Sequence, residues 1–312
     1  MPYIKVDKEN SGDVKLYYED HGSGQPVVLI HGFPMNGEAW EKQKFALLKA
    51  GYRTITYDRR GFGRSDKPAF GYNYDTFNND LDIVMDVLNL KNAVLMGHSM
   101  GTGEAIRYAA TRGNKRVARI VLVSAIAPFM LKTEDNPEGI DESVFDGFQQ
   151  AILEDRPAYL TEFFQNFYNL DETLGGRVSQ QVVDANWNVA VAASPKGTLD
   201  CVDTWKTDFR EDLPKINVPT LIIHGTGDRI LPFEMTSARL PTLIKDAGLV
   251  AIDDAPHGLP WAYADEVNEA MLAFLGQEAE EGQTSRSWRK EPAFGETLEG
   301  EMVESERLES EE

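Results

Sequence analysis

Two kinds of hydrophobic pattern alternate along the chain. Residues 2–7 and 14–20 alternate apolar and polar positions on either side of Asn10-Ser11-Gly12-Asp13, which predicts an opening β-hairpin. Pro26-Val27-Val28-Leu29-Ile30 is instead continuously apolar, as expected of a strand buried on both faces. The same reading places strands at 52–57, 93–97, 120–123, 218–223 and 249–252. Helices fall at about 38–50 and 75–89, onward from 100, and at 263–275. Strands that alternate with helices predict an α/β fold, with a mostly parallel central sheet covered by helices on both faces. After Ser124 the rhythm breaks. Residues 125–215 carry Phe145, Phe148, Tyr159, Phe163, Phe164 and Phe167 in a helical pattern without a convincing strand, so they read as a helical cap inserted in a domain spanning 1–276.

Composition narrows the picture. A chain of 312 residues with 42% hydrophobic content can bury a full core. The single cysteine, Cys201, excludes an internal disulfide and a cysteine-based metal cluster. No grouping of His, Cys and carboxylates has the spacing of metal ligands, so no metal site is expected. The start, Met1-Pro2-Tyr3-Ile4-Lys5-Val6-Asp7, carries no apolar signal segment, and no apolar run reaches membrane-spanning length, which predicts a soluble cytoplasmic protein. The net charge of −20 argues against nucleic acid or an anionic membrane as partner. Part of that charge is local: residues 277–312 hold 12 acidic and 4 basic residues with little periodicity, and read as an acidic, disordered tail.

The candidate chemistry centres on Gly97-His98-Ser99-Met100-Gly101, a G-x-S-x-G between an apolar run and a helix. Alone the pentapeptide carries little weight, but a strand, a turn without side chains at Gly97 and Gly101, and a helix would strain Ser99 and expose its hydroxyl. A serine needs a base, and the base needs an orienting carboxylate. In this kind of sheet the order along the chain is nucleophile, acid, base, which removes His21, His31 and His98 as the base. His257 stands directly after the last strand, in Asp254-Ala255-Pro256-His257-Gly258, and Asp228 follows the strand that His224 closes. The assignment is Ser99 as nucleophile, His257 as base then acid, and Asp228 as orienting acid. Asp253 and Asp254 also stand near a strand end, but beside His257 they are badly placed to reach its Nδ1. His31 and His224 read as supports for loops around the site, and His98 as packing at the turn. The backbone N–H groups of Met100 and Phe33 are the expected oxyanion donors. Candidate pocket residues are Pro34, Phe129, Trp205, Leu231 and Leu259.

His31-Gly32-Phe33-Pro34, Asp58-Arg59-Arg60-Gly61-Phe62-Gly63-Arg64-Ser65, Gly97-His98-Ser99-Met100-Gly101, Phe167-Tyr168-Asn169-Leu170, His224-Gly225-Thr226-Gly227-Asp228 and Ala255-Pro256-His257-Gly258 together resemble the bacterial cofactor-free haloperoxidases of the α/β-hydrolase fold. These are also called non-haem chloroperoxidases, perhydrolases or arylesterases. The resemblance spans about residues 2–276. It implies a Ser-His-Asp triad, no haem or metal cofactor, and assembly into homo-oligomers. It further implies hydrolysis of small esters, and perhydrolysis of short carboxylic acids with hydrogen peroxide; the peracid then oxidises halide in solution. Many relatives carry Trp where Phe33 stands, and nothing in the family matches the tail of 277–312. Competing readings are a lactonase or other small-acyl hydrolase on the same triad, and a non-catalytic ligand receptor or scaffold. The Asp-nucleophile branches of the fold are disfavoured, because Ser99 holds the nucleophile position.

Overall fold

The computed structural model describes residues 2–113 and 116–276 of the chain. Eight strands form one sheet: β1 (Tyr3–Glu9), β2 (Gly12–His21), β3 (Pro26–Ile30), β4 (Arg53–Tyr57), β5 (Ala93–His98), β6 (Val117–Val123), β7 (Thr220–Gly225) and β8 (Ala247–Ile252). Their order across the sheet is β1-β2-β4-β3-β5-β6-β7-β8. β1 pairs antiparallel with β2, and β2 with β4; every later pairing is parallel. The hairpin and the parallel run match the expectations from the alternating and continuous apolar patterns.

The continuous runs have a two-sided cause. Along β3, Val28 and Ile30 enter one core while Val27 and Leu29 enter the other, and β5 divides Leu95 from Val94 and Met96 in the same way. The first core is covered by α2 (Tyr74–Val87) and α3 (Met100–Thr111), through Phe77, Leu81, Val84 and Ile106. α1 (Glu41–Lys49) and α9 (Ala264–Leu275) cover the second, through Leu47, Val267, Met271 and Phe274. Burying a side chain of this size contributes on the order of 1.5–3 kcal/mol, so both faces favour closure of the sheet.

Between β6 and β7 the chain forms α4 (Glu142–Tyr168), α5 (Leu170–Thr173), α6 (Gln180–Val191) and α7 (Pro195–Thr204), the helical insertion that the aromatic spacing suggests. α4 is bent. Asp155 is non-helical there (φ −154°, ψ 84°) and its carboxylate accepts the N–H of Ala158 at 3.0 Å, so it caps a second half-helix that Pro157 opens. The β7–β8 crossover differs from the α-helix usual in such sheets. It consists of the 3-10 turns Phe233–Met235 and Ser237–Thr242, with Pro232 and Pro241 interrupting any helix, and the hydrophobic pattern marks no element there. The acidic stretch 277–312 lies outside the described residues. Among the described residues no helix is long and apolar enough to cross a membrane.

Candidate active site

β5 ends at His98, and the next residue makes the turn. Ser99 has φ 54° and ψ −124°, a conformation that costs an L-residue on the order of 1–3 kcal/mol and persists only where its surroundings enforce it. The enforcement is close packing. A Cβ on Gly97 would stand 2.5 Å from the Gly101 carbonyl oxygen, and one on Gly101 would stand 2.4 Å from that of Ile30. Gly101→Ala is therefore expected to destabilise the fold by about 3 kcal/mol, because backbone atoms on both sides cannot yield. Urea unfolding measures this, and a loss below about 0.5 kcal/mol would show that the turn does not depend on contact at this point.

The carboxyl ends of β7 and β8 bring the other two residues together. His257 Nδ1 lies 2.7 Å from Asp228 Oδ2, and both side chains are fully buried. The second carboxylate oxygen accepts the N–H groups of Ile230 (2.9 Å) and Leu231 (2.8 Å). Burial alone would raise the Asp228 pKa, but the electrostatic pull of the adjacent His257 ring and hydrogen bonds from His224 and His257 hold it well below the usual carboxylate range. An ionised carboxylate only accepts, so the Nδ1 of His257 carries the proton and Nε2 presents a lone pair. That Nε2 is buried without a hydrogen-bond partner, as a base awaiting its proton donor would be. No hydrogen bond joins Ser99 Oγ to it, and such contacts often tighten only around substrate.

Two further histidines support this pair. His224 Nε2 is 3.0 Å from Asp228 Oδ2 and 2.9 Å from the Leu231 carbonyl, while its Nδ1 is 2.6 Å from Ser237 Oγ. Its two acceptors at Nε2 assign the proton there, so His224 is a second donor to the acid. His98 Nε2 is 3.0 Å from the backbone carbonyl of His257, and the two rings are 5.0 Å apart. Burial, and then repulsion from His257, push the His98 pKa down to about 3, so the ring is neutral and donates from Nε2. The sign follows from linkage. The folded pKa lies below the unfolded value of about 6.5, so this group's contribution to stability falls as pH drops from there toward 3, by up to about 1.4 kcal/mol per pH unit. At pH 5 the ring nitrogen shifts of His98 are expected to be those of neutral imidazole protonated at Nε2; imidazolium shifts would contradict the assignment.

The two N–H groups expected as oxyanion donors, those of Phe33 and of Met100, the first residue of α3, are both free of backbone partners among the described residues. The loop that carries Phe33 is fixed from behind. His31 Nδ1 donates to the Gly32 carbonyl at 2.8 Å, and its Nε2 accepts from the Arg59 N–H at 2.9 Å. The Arg59 guanidinium donates to the His31 carbonyl (2.9 Å) and pairs with Glu104 at 2.9 Å, where the Tyr57 hydroxyl also donates. Arg59 and Glu104 are fully buried, so losing either charge strands the other. The sequence reading missed this pair. Its only signals are an arginine after the strand end at Asp58 and an acidic residue five positions after Ser99.

Ser99 opens into a cavity of about 490 Å³ walled by Phe33, Met130, Phe148, Phe163, Trp205 and Leu231 among others, most of it apolar. Trp205 and Leu231 were expected there. Pro34, Phe129 and Leu259 were expected too, but they are not on its wall. Phe33, joined to Pro34 by a cis peptide bond, presents its own ring instead, 5.0 Å from Trp205. Phe129 packs its ring under the Arg210 guanidinium at 4.8 Å, leaving the wall to Met130. Leu259 opens the short helix α8 (Leu259–Ala262) and packs into the core on the α9 side of the sheet. Among the described residues no group of three or more His, Cys, Asp or Glu could hold a metal ion.

The mostly parallel eight-stranded sheet with helices on both faces is an α/β-hydrolase fold. A family model described as alpha/beta hydrolase fold matches residues 25–262. A Synechocystis sp. protein provisionally named non-heme chloroperoxidase is 58% identical over 88% of this chain and all of its own length. The non-heme chloroperoxidase CPO-A1 of Kitasatospora aureofaciens is 39% identical over 85% of this chain and 97% of that one. The crystal structure of a bromoperoxidase from Bacillus anthracis superposes with a TM-score of 0.85 at 46% identity, covering 88% of this chain and 99% of the other. The chain belongs to the α/β-hydrolase family, in its non-haem haloperoxidase branch.

Proposed function

We propose that this enzyme hydrolyses small carboxylic esters through an acyl-Ser99 intermediate and transfers the same acyl group to hydrogen peroxide. The observations that carry the reading are the buried His257 Nε2, unpartnered while Nδ1 is committed to Asp228 at 2.7 Å, and the strained backbone of Ser99 at the end of β5. His257 takes the Ser99 proton as Oγ attacks the ester carbonyl. The oxyanion receives the N–H groups of Phe33 and Met100, each typically worth 10²- to 10³-fold in rate. Collapse expels the alcohol with the proton from His257. Water or hydrogen peroxide, deprotonated by the same nitrogen, then attacks the acyl carbon and releases acid or peracid together with free Ser99. The non-heme chloroperoxidase names of the relatives, and a bifunctional esterase/perhydrolase of Acinetobacter calcoaceticus 36% identical over 84% of this chain, support the peroxide branch.

The cavity supports an apolar acyl or alcohol group rather than a charged one, since aromatic rings form much of its wall. The test is p-nitrophenyl acetate with and without hydrogen peroxide. Release of p-nitrophenol in both, and peracid only with peroxide, is the expected result. Release of neither product at saturating ester would remove the enzymatic reading.

A further inference from the structure

Met130 is the one methionine among the described residues that walls the Ser99 cavity. It is only 2% exposed, so bulk solvent hardly reaches it except through that cavity. The segment around it is held in place. Asn136 Nδ2 donates to the carbonyls of Phe129 (3.2 Å) and Leu131 (2.8 Å), and the Ile140 N–H donates to the Met130 carbonyl at 2.7 Å. The backbone that carries this thioether is thus fixed at the wall of the cavity onto which Ser99 opens.

We propose that Met130 is a self-oxidation site: a peracid formed on Ser99 oxidises its sulfur before leaving the cavity. The inference rests on the peroxide branch of the proposed function, which supplies the oxidant. The peracid's terminal oxygen is transferred to Sδ; the O–O bond breaks, an S–O bond forms, and the thioether is oxidised by two electrons to the sulfoxide. The peracid is reduced to its carboxylic acid, and no other reactant is needed. Confinement gives the reaction its selectivity. One molecule in about 490 Å³ is at an effective concentration of about 3 M, far above any peracid that accumulates in solution. Other sulfurs are differently placed. Met235 is half-buried outside the cavity wall and samples bulk oxidant. Cys201 is fully buried away from the wall, and burial pushes its thiol up to about 12, so it is not a competing thiolate. A sulfoxide at Met130 would place a polar, rigid group in an apolar wall, so the enzyme slows as it turns over peroxide.

The test is peptide mapping by mass spectrometry after turnover of an acetate ester with hydrogen peroxide. Excess free methionine is present to trap escaped peracid, and its own sulfoxide counts the peracid formed. Met130 sulfoxide is expected to rise in proportion to turnovers and to exceed Met235 sulfoxide by about fivefold or more, because the scavenger protects only sulfurs that meet bulk oxidant. Ser99→Ala under the same conditions is expected to show neither above its peroxide blank. Met130→Leu, compared with its own initial rate, is expected to lose activity several-fold more slowly during perhydrolysis. Peracid formation with Met130 unmodified, or with Met235 modified as fast, would overturn the inference and leave the perhydrolase reading intact. Equal oxidation of Met130 in Ser99→Ala would overturn it as well, by making it ordinary peroxide damage. Absence of peracid altogether would overturn the reading and the inference together.

Discussion

Ser99→Ala is expected to lower kcat for ester hydrolysis by on the order of 10⁶-fold and to remove perhydrolysis with it, leaving the melting temperature unchanged or raised. The joint loss follows from the proposed mechanism, in which the only covalent bond to substrate forms at Oγ, ahead of the point where water and peroxide diverge. The fold should tolerate the change. Among the described residues Ser99 Oγ makes no hydrogen bond, while its backbone N–H and carbonyl remain tied to Val123 and Thr102. Residual rates 10³- to 10⁴-fold above water are still expected, since the Phe33 and Met100 N–H groups and the cavity remain in place. Near-wild-type kcat from a pure Ser99→Ala sample would remove the acyl-serine account. Loss of peroxide-dependent activity alone would separate the two reactions that the account joins.

The second large effect belongs to Asp228→Asn, expected to lower kcat by about 10⁴-fold at unchanged fold. The cause can be read from the carboxylate's partners. Oδ1 accepts two backbone N–H groups, from Ile230 and Leu231, and only a carbonyl oxygen can take that place in asparagine. The amide NH₂ must then face the two histidines. His257 can meet that donor only by accepting at Nδ1, which moves its proton to Nε2 and leaves no base toward Ser99. His224 must invert in the same way, with Nδ1 donating to Ser237. Ring nitrogen shifts of His257 report this tautomer directly. A nearly active Asp228→Asn enzyme, or a His257 still protonated at Nδ1, would assign the orienting role elsewhere.

What the sequence made legible was whatever local chain geometry compels. Val27 to Ile30 can only be a strand with two buried faces, and Gly97 and Gly101 can only bracket a turn where backbones nearly touch. Asp228 and His257 followed from chain order, because each sits just past a strand whose direction the parallel sheet dictates. The support of the pair was not legible. The bond from His98 to the His257 carbonyl joins residues 159 positions apart, and no local pattern announces it. The cavity wall was only half legible for a related reason. Which of Phe129 and Met130 faces inward depends on Arg210 taking the neighbouring ring. Leu259 stands two residues from His257, yet the turn into α8 aims it at the opposite side of the sheet.

The shared acyl-enzyme can be tested by partition. Methyl, phenyl and p-nitrophenyl acetate differ in leaving group but give the same acetyl-Ser99, which no longer carries the alcohol that formed it. At one fixed hydrogen peroxide concentration, and after subtraction of the uncatalysed reaction, the ratio of peracetic to acetic acid should be the same for all three esters, although their rates differ widely. A ratio that changes with the leaving group would mean that water and peroxide attack the ester before the alcohol departs, and that no common acyl-Ser99 lies on the path.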